Sequence, residues 1–563
     1  MLDQTAGTHF DADLCIIGSG AAGITLATEL DGCGFKVLLL EAGTLGADPR
    51  FEEYYRGTAN APHPDPTQFR RVRFGGTTGV WGGRCVPYDP VDFEPREQVA
   101  NSGWPLAYAE LARHYPAALR YCDAGGFDFS VAGSLDTPAP VIAGFTGLDT
   151  DGNPLVMTDR IERYSLPTDF GSRYRERIRA SANVTALLGA RCLRLRRGAG
   201  AAPVEVAEVI DRAGRRRQVR ARIFVLAAGG IEVPRLLLLS DATGAGLGNG
   251  GGCVGRYYMC HFENTLGRIV PHGAAVAFDF ERTREGVYCR RQLRFTPQAM
   301  QQHRLLNMAF RLHFPSYSDA GHGSAVMSAI YLAKSALIPE YRDILAANAE
   351  QAPSPPAAHL RNVLGGLPQA LRFGWDWLFR IRLARRKLPY TLVANADGTY
   401  PLEFNSEQTP LPDSRVTLAD ERDAHGLPRV RIDWRLSDAD VEAACRGFLL
   451  LRNIMASSGT CRLQIDETHL RERIGRSPPL GGHHIGTARM ATSERQGVVD
   501  TNCAVFGVPN LYVASSAVFP TSSHANPTLT IVAMSVRLAE HLRRQLEAGS
   551  NIYTQPSAQA GAS

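Results

Sequence analysis

Six residues near the N-terminus, GSGAAG at 18–23, constrain the fold more than any other part of the sequence. They follow a short apolar run, 12–17, that reads as a buried strand, and they open a stretch, 20–30, with helical apolar spacing. Residues 37–40 read as a second strand, which completes a βαβ unit. In that context G-x-G-x-x-G has a mechanism. Gly18, Gly20 and Gly23 permit a tight turn and let backbone N–H groups and a helix N-terminus approach a pyrophosphate. Glu41 ends the second strand, where a carboxylate accepts hydrogen bonds from ribose hydroxyls and disfavours a 2′-phosphate. The alternative is a Gly-rich turn that only packs helix on strand; strand, glycines, helix and acid together favour the dinucleotide grip. The motif alone does not separate FAD from NAD.

The 563 residues, 44% hydrophobic and 21% charged, suffice for a large core and for two or more domains. Sixty-one basic and 56 acidic side chains leave only +5, and the arginines are spread along the chain, which argues against nucleic-acid binding. The 11 cysteines are scattered and form no Cys-x-x-Cys pair, so neither a disulfide scaffold nor a metal site is expected. The N-terminus lacks the pattern of a signal peptide, and no apolar run reaches the about 18 residues of a membrane span. The expectation is a cytoplasmic protein with no transmembrane segment.

Along the chain, residues 65–95 are rich in Gly, Arg and Thr with a Trp, as suits a long ordered loop that approaches a ligand. A helix is expected over 106–121 and a surface excursion over 130–160. Strand patterns return at 185–195 and 219–227, the latter ending in VLAAGG before a helix through 234–239. From 263 to 460 the texture changes to alternating strands such as 291–295, with a loop-like AEQAPSPP at 349–356.

Three further blocks carry a family likeness. RFGGTTGVWGGRCVPYDPVD (73–92), GGHHIGTARM (481–490), and VVDTNCAVFGVPNLYVASSAVFPT (498–521) continuing into SSHANPTLTIVAMSVRLAEHL (522–542) together resemble the glucose-methanol-choline (GMC) oxidoreductases, flavoenzymes that oxidise alcohols. The resemblance spans the first hundred residues, the strand near VLAAGG and the last hundred; the middle matches only loosely. It implies an α/β fold, α+β overall. A Rossmann-like FAD-binding domain would come from 1–100, 180–262 and 461–546. An inserted β-sheet-plus-helices substrate-binding domain and lid would come from 101–179 and 263–460, and 547–563 would be a flexible tail. The implied cofactor contacts are Gly18, Gly20, Ala21, Ala22, Gly23, Glu41 and Ala42; Gly75, Gly76, Thr77, Val80, Trp81 and Gly82; Ala228 and Gly229; and Ser515, Ser516, Asn526, Pro527 and Thr528.

In the family the first His of H-x-x-G-T acts as base, which maps onto His483, while a His or Asn in the later block maps onto Asn526. The substrate CH–OH then becomes a carbonyl and flavin N5 takes the hydride. Elementary chemistry agrees. A neutral imidazole, with a pKa of about 6.5, accepts a hydroxyl proton at neutral pH. An amide orients the same hydroxyl without competing for its proton. Pro527 suits the first position of a helix running to about residue 546; the positive end of that helix would stabilise a reduced flavin, with Asn526 as its cap. Each residue also has a plain structural reading: His483 as a packed side chain, Asn526 as a cap alone. His484 and His524 are candidate substrate contacts or packed neighbours.

The chain departs from the family pattern in several places. Some relatives attach FAD through a His in the Gly-rich loop; Val80 stands there, so FAD is expected to be non-covalent. Ala491 and Ser515 replace the family's Gly and Asp, and Cys260 replaces the Asp in VGRYYMCH. Cys260 beside His261 could suggest a metal pair, but two adjacent residues rarely face one ion from a regular element, and a structural role is preferred. Residues 371–390 combine Trp375, Trp377 and Phe379 with Arg372, Arg380, Arg382, Arg385, Arg386 and Lys387. The favoured reading is a surface helix whose aromatics pack on the inserted domain while its arginines stay in water; the alternative is a face for an anionic membrane or a partner. The substrate class stays open among sugars, polyols and hydroxylated secondary metabolites, and the electron acceptor among dioxygen, quinone and others. A cyanohydrin-type lyase of the same fold and a non-redox flavin-binding protein are the rival functions.

Overall fold

The computed structural model describes residues 9–198, 203–241, 244–337, 354–393, 395, 397–480 and 482–553. Its first layer is a mostly parallel sheet. The strand His9–Ile17 lies between Val37–Glu41 and Arg216–Leu226, both parallel to it. Val184–Leu188 continues the sheet beyond Val37–Glu41, and Leu511–Val513 pairs parallel with Arg216–Leu226. Val204–Ile210 and Arg191–Arg197 extend it as antiparallel strands. Leu14, Cys15 and Ile16 are fully buried, as expected of a parallel strand covered on both faces by helices. The helices Ala21–Glu29 and Pro527–Tyr553 pack on this sheet and on each other. This is the Rossmann-like α/β architecture.

A second, largely antiparallel sheet runs in the order Cys461–Gln464, Phe262–Pro271, Tyr400–Ser406, Met308–Leu312, Tyr288–Phe295, Val156–Tyr164, Arg84–Cys85. Its two faces differ by the period-2 alternation of side chains. One face turns Leu293, Phe295, Phe310 and Phe404 onto Phe448 and Leu451 of the helix Asp438–Ser458. That helix begins with a capping box from Ser437 and Asp440 and ends at Gly459, whose φ of 68° suits the left-handed turn. The opposite face carries Arg290, Gln292, Arg311, Glu403 and Asn405, also buried, and the half-buried Glu263. A small third sheet joins Gly57–Ala59, Arg415–Arg422 and Pro428–Asp433.

Several sequence expectations change. The helix expected over 106–121 is two short ones, Tyr108–Ala112 and Tyr115–Tyr121, split where Pro116 enters. Leu111, Tyr115 and Leu119 join the core of the parallel sheet, whereas 101–179 was expected in the substrate-binding domain and lid. Cys461–Gln464 forms an edge of the second sheet, so the chain leaves that sheet later than residue 461. The last helix reaches Tyr553, into the segment expected as a tail, and 554–563 lie outside the described residues. Of the loop expected at 349–356, residues 349–353 also lie outside, and Pro356 already begins a helix. Trp375, Trp377 and Phe379 do not pack on the second sheet: Trp375 is 66% exposed, and Trp377 and Phe379 are exposed with it, whereas Tyr390 packs beside Tyr164 and Tyr288. The helix Leu367–Trp377, continued by 378–382, which holds Phe379, packs instead on the helices Ala325–Leu337 and Pro356–Gly365. All 11 cysteines are free thiols. Among the described residues no helix is long and apolar enough to cross a membrane.

Candidate active site

The glycines of GSGAAG divide the work of the turn. Gly18 has φ of 107°, and a Cβ there would stand 2.6 Å from the Ala227 carbonyl oxygen. A Cβ on Gly23 would stand 1.9 Å from the Gly18 carbonyl oxygen, so this glycine lets the helix close on the strand. Gly20 has nothing within 4 Å of its Cβ position and opens into a long cavity. Ala21 and Ala22 at the helix start, Glu41 and Ala42 at the strand end, and Gly76, Thr77 and Trp81 of the Gly-rich loop line the same cavity. Ala228, Gly229, Ser515, Ser516, Pro527 and Thr528 complete its far end. This is a cradle of backbone and small side chains that any added Cβ would fill, and it fits a dinucleotide with its pyrophosphate at the helix N-terminus. The Glu41 carboxylate accepts from Ser19 Oγ at 2.6 Å and from Gly43 N at 2.7 Å; burial raises its pKa.

Not every expected contact reaches the cavity. Gly23 is taken up by helix–strand packing. Gly75 packs too, because a Cβ there would meet Gly171 N at 2.5 Å. Val80 is 51% exposed to solvent, and Gly82 is likewise outside the lining. Trp81 is held by its indole N–H, which donates to the Thr168 carbonyl at 3.0 Å.

Charged residues that sequence reasoning missed also line the cavity. The Arg70 guanidinium lies 3.6 Å over the Tyr55 ring and 2.9 Å from Glu232. Arg191 lies 4.1 Å over Tyr54 and 2.7 Å from Asp423. No short motif marks them, since their partners come from separate loops.

Beside the cavity, three loops converge. An isolated bridge between Met259 and Ile485 brings the residues before the strand Phe262–Pro271 against the HHIGT loop. His261 Nδ1 then lies 2.8 Å from His483 Nδ1, and His261 Nε2 lies 3.0 Å from the Ser522 carbonyl oxygen. Asn526, just before the last helix, places its Nδ2 3.0 Å from His483 Nε2. The protons of this chain follow from the carbonyl. Because Ser522 O can only accept, His261 Nε2 carries the hydrogen, and neutral His261 offers a lone pair at Nδ1. His483 Nδ1 therefore donates, and His483 Nε2 is left as an acceptor, here receiving the Asn526 N–H. Desolvation lowers the His483 pKa well below the usual value, helped by the neighbouring His261 imidazole and the Arg84 charge; burial lowers that of His261 to about 4. Both imidazoles are neutral at neutral pH.

His483 and Asn526 do not line the long cavity themselves; their chain neighbours Gly482, His484, Pro527 and Thr528 do. The two expected substrate contacts part company. His484 lines the dinucleotide cavity, its ring 6.2 Å from Tyr258 in a stacked arrangement and its carbonyl accepting from Ser516 Oγ at 2.7 Å. His524 is buried with no hydrogen bond to either ring nitrogen among the described residues, its Nδ1 3.7 Å from Asp89 Oδ2. The Asn526 amide nitrogen is engaged with His483. His261 was passed over beside Cys260, whose thiol turns away to the Tyr258 hydroxyl at 3.3 Å. The histidine closing VGRYYMCH was its only signal.

The polar face of the second sheet adjoins these imidazoles, and the charges of Arg84 and Arg311 act on both His261 and His524. Arg311 bonds Glu403 at 2.7 Å and lies 3.4 Å from Glu162. Glu263, crowded by Glu403, has its pKa pushed up to about 7, first by burial. Both amide atoms of Asn405, Gln292 Oε1 and Glu263 Oε2 are buried with no hydrogen-bond partner among the described residues.

A dinucleotide cradle beside a neutral histidine and an amide defines a cofactor-dependent oxidoreductase. Residues 410–535 match the family model described as GMC oxidoreductase. The chain is 24% identical to 2-methyl-1,2-propanediol dehydrogenase of Mycolicibacterium austroafricanum, covering 97% of each. It is 25% identical to paromamine 6'-oxidase of Streptomyces fradiae, over 94% of this chain and 90% of that one. In fold it is similar to formate oxidase of Aspergillus oryzae RIB40, solved in a study of FAD modification: TM-score 0.53, 16% identity, 96% of this chain and 100% of that one. Residues 410–535 thus match the GMC oxidoreductase family, the chain is similar along nearly its whole length to a dehydrogenase and an oxidase, and the cradle fits FAD.

Proposed function

We propose that the enzyme oxidises a CH–OH group of a polyhydroxylated substrate, a sugar or polyol, to a carbonyl, with His483 as the base and Asn526 as its partner. The observation that carries this reading is the bonded chain from the Ser522 carbonyl through His261 and His483 to Asn526, which presents the Nε2 lone pair of His483. A substrate hydroxyl entering there donates its proton to Nε2 while its oxygen accepts from the Asn526 amide. Non-covalent FAD held in the cradle would supply the acceptor for the hydride, with dioxygen, a quinone or another acceptor as the final oxidant. As His483 takes the proton, its Nδ1–H strengthens its bond to His261, which stabilises the imidazolium. The positive end of the helix Pro527–Tyr553 favours negative charge at the cavity's far end.

The substrate class rests on the polar sheet face. A buried amide with both atoms unbonded costs about 1–3 kcal/mol for each group left unpaired, which a ligand rich in hydroxyls would recover. Asn405, Gln292 and Glu263 are assigned to that recognition, and His524 joins them. In this reading the parallel sheet carries the cofactor and the second sheet reads the substrate. The two relatives, a diol dehydrogenase and a paromamine oxidase, agree with a hydroxylated substrate.

Anaerobic mixing of the holoenzyme with a panel of sugars, polyols and simple apolar alcohols tests the proposal. Rapid bleaching of the flavin by the hydroxyl-rich compounds is expected. Cleavage of a cyanohydrin with the flavin spectrum unchanged would overturn it in favour of a lyase.

A further inference from the structure

The helical segment around residues 356–382 exposes more apolar surface than any fold needs. Leu364 and Leu371 are each 67% exposed, Trp375 is 66% and Leu383 is 64%. Leu360 and Leu364 on one helix, and Leu367, Leu371, Trp375 and Leu378 on the next and its continuation, recur at spacings of three and four residues, so each helix carries an exposed apolar stripe. Single exposed leucines are ordinary, but a contiguous stripe with Trp and Phe marks a docking surface.

Its charge says what docks. Between residues 354 and 393 the sequence has seven arginines and lysines and one acid, Asp376. Arg361, Arg372, Arg380, Arg385 and Lys387 are exposed around the apolar stripe. Aromatic and leucine side chains framed by cations match the boundary of a bilayer, where rings sit among headgroups and cations meet lipid phosphates. The segment is also tied down. Arg386 donates to the carbonyls of Tyr164 at 3.2 Å and Asp123 at 3.0 Å, and the Lys387 backbone N–H donates to Leu166 O at 3.0 Å. The same stretch of chain, at Thr168, holds the Trp81 indole of the cofactor loop.

We propose that this stripe is a peripheral docking face for an anionic bilayer, holding the rim of the cofactor loop toward the membrane surface. The inference does not depend on the substrate assigned above. Flotation of the holoenzyme with vesicles of phosphatidylcholine alone, or mixed with phosphatidylglycerol, reads it directly. Binding to the mixed vesicles is expected, about tenfold or more above the neutral ones and weakened by salt. The variant Leu371→Ser/Trp375→Ser/Phe379→Ser should lose binding while keeping its flavin and its turnover with a soluble dye acceptor. Arg372→Ser/Arg380→Ser/Arg385→Ser should lose the preference for phosphatidylglycerol. Equal binding by wild type and both variants, or no binding to either vesicle, would overturn the proposal. So would a dimer in sedimentation equilibrium that the first variant dissolves, since the stripe would then belong to a second copy.

Discussion

The cofactor cradle and the histidine nest meet at residues 482–484, yet they are made of different material. The cradle is backbone: Gly18, Gly20 and Gly23 matter for the side chains they lack. The nest is side chain: His261, His483 and Asn526 come from three distant loops and matter for the lone pairs and protons they exchange. A backbone site fails by steric filling, all at once. A side-chain site fails by degrees, according to which hydrogen bond is lost.

The largest effect expected is at Gly23. Gly23→Ala puts a Cβ 1.9 Å from the Gly18 carbonyl oxygen, so the helix must move from the strand at a cost of about 1–3 kcal/mol. The purified variant should carry almost no flavin by its absorbance ratio and melt at lower temperature. Gly20→Ala, with open space around it, should lose FAD affinity while leaving the apoprotein's melting temperature unchanged. If both variants behaved alike, the division of roles among the glycines would be wrong.

Next comes His261, where the nest can be taken apart one bond at a time. His261→Phe removes the acceptor that fixes the His483 tautomer, and flavin reduction should slow on the order of 10²-fold with KM changed much less. His261→Asn, whose side-chain oxygen can stand where Nδ1 stood, should recover most of that loss. A merely structural role for His261 would lower thermal stability in both variants without separating their pH profiles.

A smaller effect concerns pH. His261, with a pKa near 4, and His483, His484 and His524, all held low by burial, stay neutral in the fold but take up protons when unfolded. Their contribution is complete above the unfolded value of about 6.5 and is lost as pH falls from there toward 4, at up to about 1.4 kcal/mol per pH unit per group. Urea midpoints of the holoenzyme should therefore drop between pH 6.5 and 4. A flat profile over that range would mean that these imidazoles are solvated.

The same contrast explains what could be read in advance. The cradle was legible because strand, glycines, helix and Glu41 are contiguous, and the steric demand that selects glycine is local. His483 and Asn526 were legible through family motifs, but their bond to each other and the part played by His261 depend on the Met259–Ile485 bridge, a long-range contact that no periodicity encodes. The alternation at 291–295 gave the strand correctly. What it did not give is that the charged side, Arg290 and Arg294, is buried against other charges and not facing water. For 371–390 the difference ran the other way: aromatic composition suggested packing, and the fold left Trp375, Trp377 and Phe379 outside.

The rate of anaerobic flavin reduction in His483→Ala, measured by stopped flow with the best substrate, bears most directly on the account. A fall of about 10²–10⁴-fold with full flavin content and unchanged melting temperature is the predicted result. Reduction as fast as in the wild type would show that another group removes the proton, and the nest would be architecture only.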